Sequence, residues 1–116
     1  MILFVFAAFL AHHSLEATYD SAREIRLEGT VAQFLFRNPH SFVHIDVPGE
    51  NGKVQRYAIE WLGTNALEGQ GVRRDSVKVR DQVVITGNPS RIPGDHRVKL
   101  KTLRRPADGF EWVEKD

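Results

Sequence analysis

The segment SFVHIDVPGENGKVQRYAIEWL, Ser41–Leu62, decides the fold. Its two alternating runs flank a turn of Pro, Gly and Asn, which predicts a β-hairpin. Facing residues of paired strands share a face, so their numbers must add to an even sum, and the turn length indicates about 100 or 102. The apolar residues at odd positions are predicted to face the core: Val43, Ile45, Val47, Tyr57, Ile59 and Trp61.

The same parity puts four polar residues on the opposite face: His40, His44, Asp46 and Glu60. His40 lies opposite Glu60 if the sum is 100 and diagonal to it if the sum is 102, so their Cβ atoms are about 5–8 Å apart in either register. A histidine–carboxylate hydrogen bond fixes the tautomer and orientation of an imidazole, as a metal ligand requires. The alternative is an ordinary surface pair.

The preceding run, EIRLEGTVAQFLFR, is predicted to be a long bent strand. Its apolar residues occupy odd positions up to Val31 and even positions from Phe34 onward. Such a change indicates a β-bulge or a sharp bend, with Gly29 as the predicted pivot. Pro39 then ends the strand, because proline has no N–H for a central ladder.

Beyond the hairpin, TNALEGQG predicts a short helix. Asn65 and Glu68 resemble a capping box, and Gly69 or Gly71 would end the helix. Two further runs, VRDQVVITG and RVKLKTLRR, predict strands, and the lysines of the second suit an exposed edge. The final DGFEWVEKD is a tail or an added edge strand.

The order of three strands, a helix and two strands predicts an all-β fold. It matches a five-stranded OB-like Greek-key barrel with one short helix between strands 3 and 4. A small β-sandwich or a partly open barrel is the alternative. A chain of 116 residues suffices for one domain, which we place at residues 12–116.

Composition excludes several functions. Lys plus Arg number 16 and Asp plus Glu number 15, so a bulk electrostatic role such as non-specific nucleic-acid binding is not expected. The absence of cysteine excludes disulfides, zinc–thiolate sites and thiol nucleophiles. The sequence contains no phosphate loop, metallohydrolase motif or paired-carboxylate constellation. A binding module is therefore favoured over an enzyme, and no catalytic residue is assigned.

The first eleven residues, MILFVFAAFLA, are apolar throughout. As a helix they would span roughly 17 Å, whereas a bilayer core is about 30 Å thick. Residues 1–11 are therefore predicted to be a signal-peptide remnant ending at Ala11, which implies a periplasmic or secreted protein. If the segment is retained, it is an apolar tail and the part expected to contact a membrane.

Two histidines follow this segment, His12 and His13. Cleavage after Ala11 would give His12 a free α-amino group beside its imidazole, and both groups lose protons at modest cost when a metal binds. A flat set of nitrogen ligands favours Cu(II), with Ni(II) next. Copper is thus the predicted cofactor. The candidate ligands are His12, His13, His40 and His44, with Glu60 and Asn38 as hydrogen-bonding supports.

An interaction module without metal is the alternative function. OB barrels bind extended ligands across strands 2 and 3, and Phe34, Phe36 and Phe42 are candidate stacking residues. The partner would be a ligand or another exported protein. The segment RIPGDHRVKLKTLRR carries six basic residues and one acidic residue, but nucleic acid is not expected as the partner of an exported protein. His96 lies in the proline-rich loop, which in an OB barrel flanks the same mouth as the NPH motif at residues 38–40.

Several short motifs occur in a characteristic order: AHHS, GTV, NPH, an aromatic third strand with a glutamate, NAL and a D-x-V-x-x-x-G strand. This order resembles the bacterial exported proteins of domain of unknown function family 6152, over about residues 12–104. The resemblance implies an exported bacterial protein and no known function. Thr64 and the Asp81–Gln82 pair depart from the family pattern. The recurring positions map to His12, His13, Ser14, Asn38, Pro39, His40, Glu60, Asn65, Leu67, Gly71, Asp81 and Gly87.

Overall fold

The computed structural model describes Leu15 and residues 17–115. Strands β1 to β5 form a closed barrel in which neighbours run β3-β2-β1-β4-β5, and β5 returns to pair in parallel with β3. The predicted OB-like barrel, with its helix between the third and fourth strands, is confirmed. The elements are β1 (Ile25–Leu35), β2 (Phe42–Pro48), β3 (Val54–Glu60), α1 (Thr64–Gly69), β4 (Gln82–Pro89), β5 (Arg97–Arg105) and β6 (Phe110–Val113).

The inward faces of the barrel strands enclose one hydrophobic core. The odd-numbered residues of the hairpin point into it as predicted, and Val43, Ile45 and Ile59 are fully buried. Helix α1 contributes Leu67, which is also fully buried. Burying one such side chain stabilises the fold by about 1.5–3 kcal/mol, so a one-residue slip of the hairpin would cost several of these contributions at once.

Strand β1 contains the predicted bulge, but not at Gly29. Its pairing with β2 shifts between Val31 and Gln33, which makes Ala32 the extra residue. Gly29 lies in the regular ladder between β1 and β4. A Cβ atom at Gly29 would come within 2.7 Å of the carbonyl oxygen of Asp46. Glycine is therefore needed there for close approach of β2, and the bend comes from the bulge.

Helix α1 has the predicted length, but its start differs from the prediction. Gly63 is the N-cap residue and has no side chain to offer, and Asn65 and Glu68 both lie inside the helix. The predicted capping box is therefore wrong. Beyond the end of the helix, Gly71 has a φ of 83°. In this left-handed conformation a Cβ would cost free energy, so the glycine ends the helix as predicted.

Strand β5 is not an exposed edge. β4 pairs along one side of it, while β3 and β6 share the other side, at residues 97–99 and 102–105. The edge role predicted for Lys99 and Lys101 is therefore wrong, and the final segment supplies an added edge strand instead. Both lysines form ion pairs: Lys99 Nζ lies 2.7 Å from Glu114, and Lys101 Nζ lies 3.4 Å from Glu24.

No helix among residues 15 and 17–115 is long and apolar enough to cross a bilayer. The signal-peptide remnant predicted at residues 1–11 lies outside the described residues, and so do His12 and His13. Their proposed roles remain predictions.

Candidate functional site

The register of the hairpin is the second of the two predicted ones. Phe42 pairs directly with Glu60, so the numbers of facing residues add to 102. His40, two residues before Phe42, is therefore diagonal to Glu60 on the outward face. The predicted contact is confirmed: Nδ1 of His40 lies 2.7 Å from Oε2 of Glu60.

Glu60 is the centre of a compact polar group that we call the Glu60 cluster: Tyr19, His40, Glu60 and Arg97. The hydroxyl of Tyr19 donates to Oε1 of Glu60 at 2.6 Å, and Nη2 of Arg97 donates to the same oxygen at 3.1 Å. His40 binds the other oxygen. Both carboxylate oxygens are thus occupied, and Glu60 is only 7% exposed although its strand position faces away from the core.

The chain preceding β1 explains this burial. Tyr19 pairs with Ser90 in an isolated antiparallel bridge. On either side of it, the amide of Asp20 donates to Pro89 O at 2.9 Å, and the amide of Arg91 donates to Thr18 O at 3.0 Å. These backbone bonds hold Tyr19 over Glu60, and its side chain is 2% exposed. The segment before β1 therefore buries Glu60, although Glu60 lies on the outer face of the barrel.

The electrostatics of the cluster keep the phenol of Tyr19 neutral. Burial raises the pKa of Tyr19 well above its ordinary value, and the hydrogen bond to Glu60 raises it further. A neutral phenol is the form that can donate to a carboxylate. The guanidinium of Arg97 lies 5.8 Å from the centre of the Tyr19 ring and 6.0 Å from that of Phe42, so it also contacts both aromatic faces.

His40 is a partly exposed member of the Glu60 cluster. Its side chain is 43% exposed. A carboxylate oxygen can only accept, so the proton of a neutral His40 imidazole lies on Nδ1 and the lone pair on Nε2. Nε2 makes no hydrogen bond to the described part of the chain. His40 also lines a cavity of about 50 Å³, whose lining includes Leu15, Lys99 and Glu114. Such a volume holds a water molecule or an ion rather than an organic ligand.

Asn38, predicted to support a metal ligand, holds the helix instead. Its Oδ1 accepts from the backbone amide of Thr64 at 2.9 Å, and its Nδ2 donates to the hydroxyl of Thr64 at 2.8 Å. This satisfies an amide that α1 leaves unpaired at its start. A Cβ at Gly63 would lie 2.6 Å from both Asn38 Oδ1 and Pro39 O. Asn38 therefore fixes the loop that carries His40 and acts on it only through the backbone.

His44 and Asp46 lie on the outward face of β2, as predicted, but outside the Glu60 cluster. Asp46 is bound by Arg56, whose Nε and Nη2 donate to its two oxygens at 2.8 and 3.0 Å. Burial lowers the pKa of His44, and the charges of Arg56 and Arg37 lower it further. The two guanidiniums thus create a positive potential at His44, which disfavours a bound cation.

The three phenylalanines proposed as a ligand surface do not form one. Phe36 is buried in the core, and Phe34 packs against it and against Trp61, with ring centres 5.7 Å apart in both pairs. Phe42 is half-buried outside the barrel, beneath the guanidiniums of Arg37 and Arg97. The bulge in β1 explains why Phe34 and Phe36 pack inward while Phe42 does not, because even-numbered positions after the bulge face the core.

The sequence did not indicate Tyr19 or Arg97 as members of the site. They lie 41 and 37 positions from Glu60, so no strand parity relates either of them to it. Arg97 was visible only as part of a basic segment. Among residues 15 and 17–115, no group of three or more His, Cys, Asp or Glu side chains is placed to hold a metal ion. Of the residues predicted for the metal site in that part of the chain, His40 and Glu60 are the two that the structure brings into direct contact.

Comparison with known proteins places the chain in a family. No curated protein matches it, and no solved structure matches it. The family described as a family of unknown function, DUF6152, matches residues 2–98, a range that contains the whole Glu60 cluster and leaves β6 outside. Because that match covers most of the 116 residues, the chain belongs to the DUF6152 family.

Proposed function

We propose that the protein is an exported binding module that holds a transition metal ion, with Cu(II) favoured, through His40 and the histidines at the start of the chain. The observation that carries the proposal is the bond from His40 Nδ1 to Glu60, at 2.7 Å. It leaves the Nε2 lone pair directed away from the carboxylate, and this carboxylate–histidine arrangement is the usual support of a metal-bound imidazole.

The Glu60 cluster makes this support rigid. Glu60 is fixed by Tyr19 and Arg97 on its other oxygen, so the carboxylate cannot turn away from His40 without breaking two further hydrogen bonds. A ligand whose orientation is fixed before binding loses less conformational entropy when the metal arrives. A neutral imidazole nitrogen is a favourable ligand for Cu(II).

The position of Leu15 supports a contribution from His12 or His13. Leu15 lines the same small cavity as His40 and Glu60. Three residues of extended chain cover at most about 11 Å, so covalent geometry keeps His12 within that distance of Leu15. Processing after Ala11 would give His12 a free amine, which together with its imidazole forms a chelate that His40 can complete.

His44 is left out of the proposed ligand set. It lies within β2, whereas His40 precedes that strand and contacts Glu60. The positive charges of Arg56 and Arg37 act on it as well. His44 is therefore a control: it is a nearby histidine on the outward face of the hairpin but should not contribute to metal affinity.

The test is a titration of protein processed to His12 with Cu(II), by calorimetry and electron paramagnetic resonance. His40→Ala should weaken binding and change the number of coordinated nitrogens, whereas His44→Ala and His96→Ala should leave both unchanged. Glu60→Gln should weaken binding by roughly 10–100-fold, because it replaces the charged acceptor that orients the imidazole with a neutral amide. Circular dichroism of each variant checks that the fold is retained.

The N-terminal part of the proposal has its own control. One added residue before His12 converts the amine to an amide and should weaken binding strongly. Equal affinities for the free and extended N-termini would eliminate the chelate and leave at most a weaker site at His40. Equal affinities for the wild type and His40→Ala would eliminate His40 as a ligand, and an interaction module without metal would then be the better interpretation of the barrel.

A further inference from the structure

A second pocket lies at the loop between β4 and β5. We propose that it binds a small molecule that carries an oxyanion, either a carboxylate or a phosphate group, on an apolar body. The pocket has a volume of about 410 Å³ and is lined by the start of β1, by Tyr57 of β3 and by residues 89–98. Small-molecule sites typically occupy about 300–1,000 Å³. This proposal goes beyond the metal site and does not depend on it.

Three residues whose side chains can donate hydrogen bonds line this pocket: Arg23, Tyr57 and His96. None of their side chains forms a hydrogen bond or ion pair with the described part of the chain. Guanidinium groups bind carboxylate and phosphate oxygens in a bidentate manner, and hydroxyl and imidazole groups add neutral donors. The chemistry of the wall is that of an oxyanion site.

Two of the three donor residues, Tyr57 and His96, are held in place before any ligand binds. The rings of Tyr57 and His96 stack with their centres 4.6 Å apart. The carbonyl of His96 accepts from the amide of Ala58 at 2.9 Å, which ties the end of the loop to β3. At the other end, the hydroxyl of Ser90 accepts from the amide of Ile92 at 3.1 Å. A preformed site avoids part of the ordering cost of binding.

Two further residues narrow the ligand class. Ile92 is 67% exposed and lines the pocket, as do Pro93 of the same loop and Pro89 at the end of β4. This apolar rim suits a ligand with a hydrocarbon or ring body rather than a bare inorganic ion. Asp95 places one carboxylate in the same wall. The carboxylate of Asp95 would repel a second anionic group on the ligand, so the site fits a ligand with one anionic end.

The experiment is a titration of the full chain, free of metal, followed by backbone amide chemical shifts at constant ionic strength. The probes are sodium butyl phosphate and sodium butyrate in separate titrations, with sodium chloride as the reference salt. Saturable shifts confined to Arg23, Tyr57 and residues 91–97 are expected, with a dissociation constant in the millimolar range. The probe that saturates at the lower concentration identifies the preferred oxyanion.

Two variants with opposite expected effects decide the site. Arg23→Gln should weaken binding roughly tenfold or more, because it removes a charge-assisted bond. Asp95→Asn should strengthen it several-fold by removing a repulsive charge. Arg104→Gln is the matched control: it removes one exposed arginine from β5 outside the pocket and should change the affinity less than twofold.

Shifts that rise linearly without saturation for both probes would overturn the proposal. So would an equal loss in Arg23→Gln and Arg104→Gln, since that pattern reports only the net charge of the protein. Arg23→Gln should keep the Cu(II) affinity of the processed protein, so the failure of one site is distinguishable from the failure of the other.

Discussion

Replacing Tyr19 with phenylalanine tests whether the Glu60 cluster holds the chain before β1 in place. The change removes one hydroxyl and keeps the buried ring. The lost bond is charge-assisted, 2.6 Å long and almost fully buried. Bonds of this kind contribute about 1.5–3 kcal/mol to the free energy of unfolding. The lower part of that range is expected, because Arg97 still donates to the same oxygen of Glu60.

The measurement is urea unfolding followed by fluorescence. With an m value of about 1.5 kcal/mol/M for a domain of this size, the midpoint should fall by roughly 1 M. Hydrogen exchange should also accelerate at the amides of Asp20 and Arg91, whose bonds to Pro89 and Thr18 flank Tyr19. Exchange faster there than in the barrel strands would identify local opening of the cover rather than uniform destabilisation.

Tyr57→Phe is the matched control. Its hydroxyl binds no group in the described part of the chain, so its removal should change the free energy of unfolding by less than about 0.5 kcal/mol. If Tyr19→Phe and Tyr57→Phe unfold at the same urea concentration, the bond to Glu60 contributes nothing, and the rigid support proposed for His40 loses its physical basis.

Three further outcomes follow from the same structure. Because folding raises the pKa of Tyr19 above its ordinary value of 10.0, the free energy of unfolding should fall as pH rises above that value, less steeply in Tyr19→Phe, as alkaline unfolding curves would show. Because folding lowers the pKa of His44 below 6.5, the unfolded chain takes up a proton first, so stability should fall as pH drops below 6.5, and His44→Gln should reduce that slope in urea titrations at pH 5 to 7. Gly63→Ala should destabilise the fold by about 1–3 kcal/mol because its Cβ meets Asn38 and Pro39, whereas Gly69→Ala, with open space around it, should be neutral or slightly stabilising in thermal denaturation.

The amino-acid sequence by itself determined the barrel and half of the site. Alternation along a strand is a local property with a period of two. A register slipped by one residue would expose Val43, Ile45 or Ile59, which are buried, and would therefore be costly. The same parity that buries these residues puts His40 and Glu60 together on the other face. The order of the elements then limited the fold to a few β architectures, of which the structure adopts the OB-like barrel.

Tertiary structure alone decided how the site is completed. Tyr19 and Arg97 reach Glu60 only because β5 returns to β3 and the chain before β1 docks on the β4–β5 loop. The position of the bulge, at Ala32 rather than at Gly29, was likewise set by how β1 meets two neighbours at once. The hydrogen bonds between Asn38 and the start of α1 were likewise decided by the tertiary structure. Contacts of this kind join residues far apart in the chain, and no periodic pattern encodes them, because their distances are fixed only when the barrel closes.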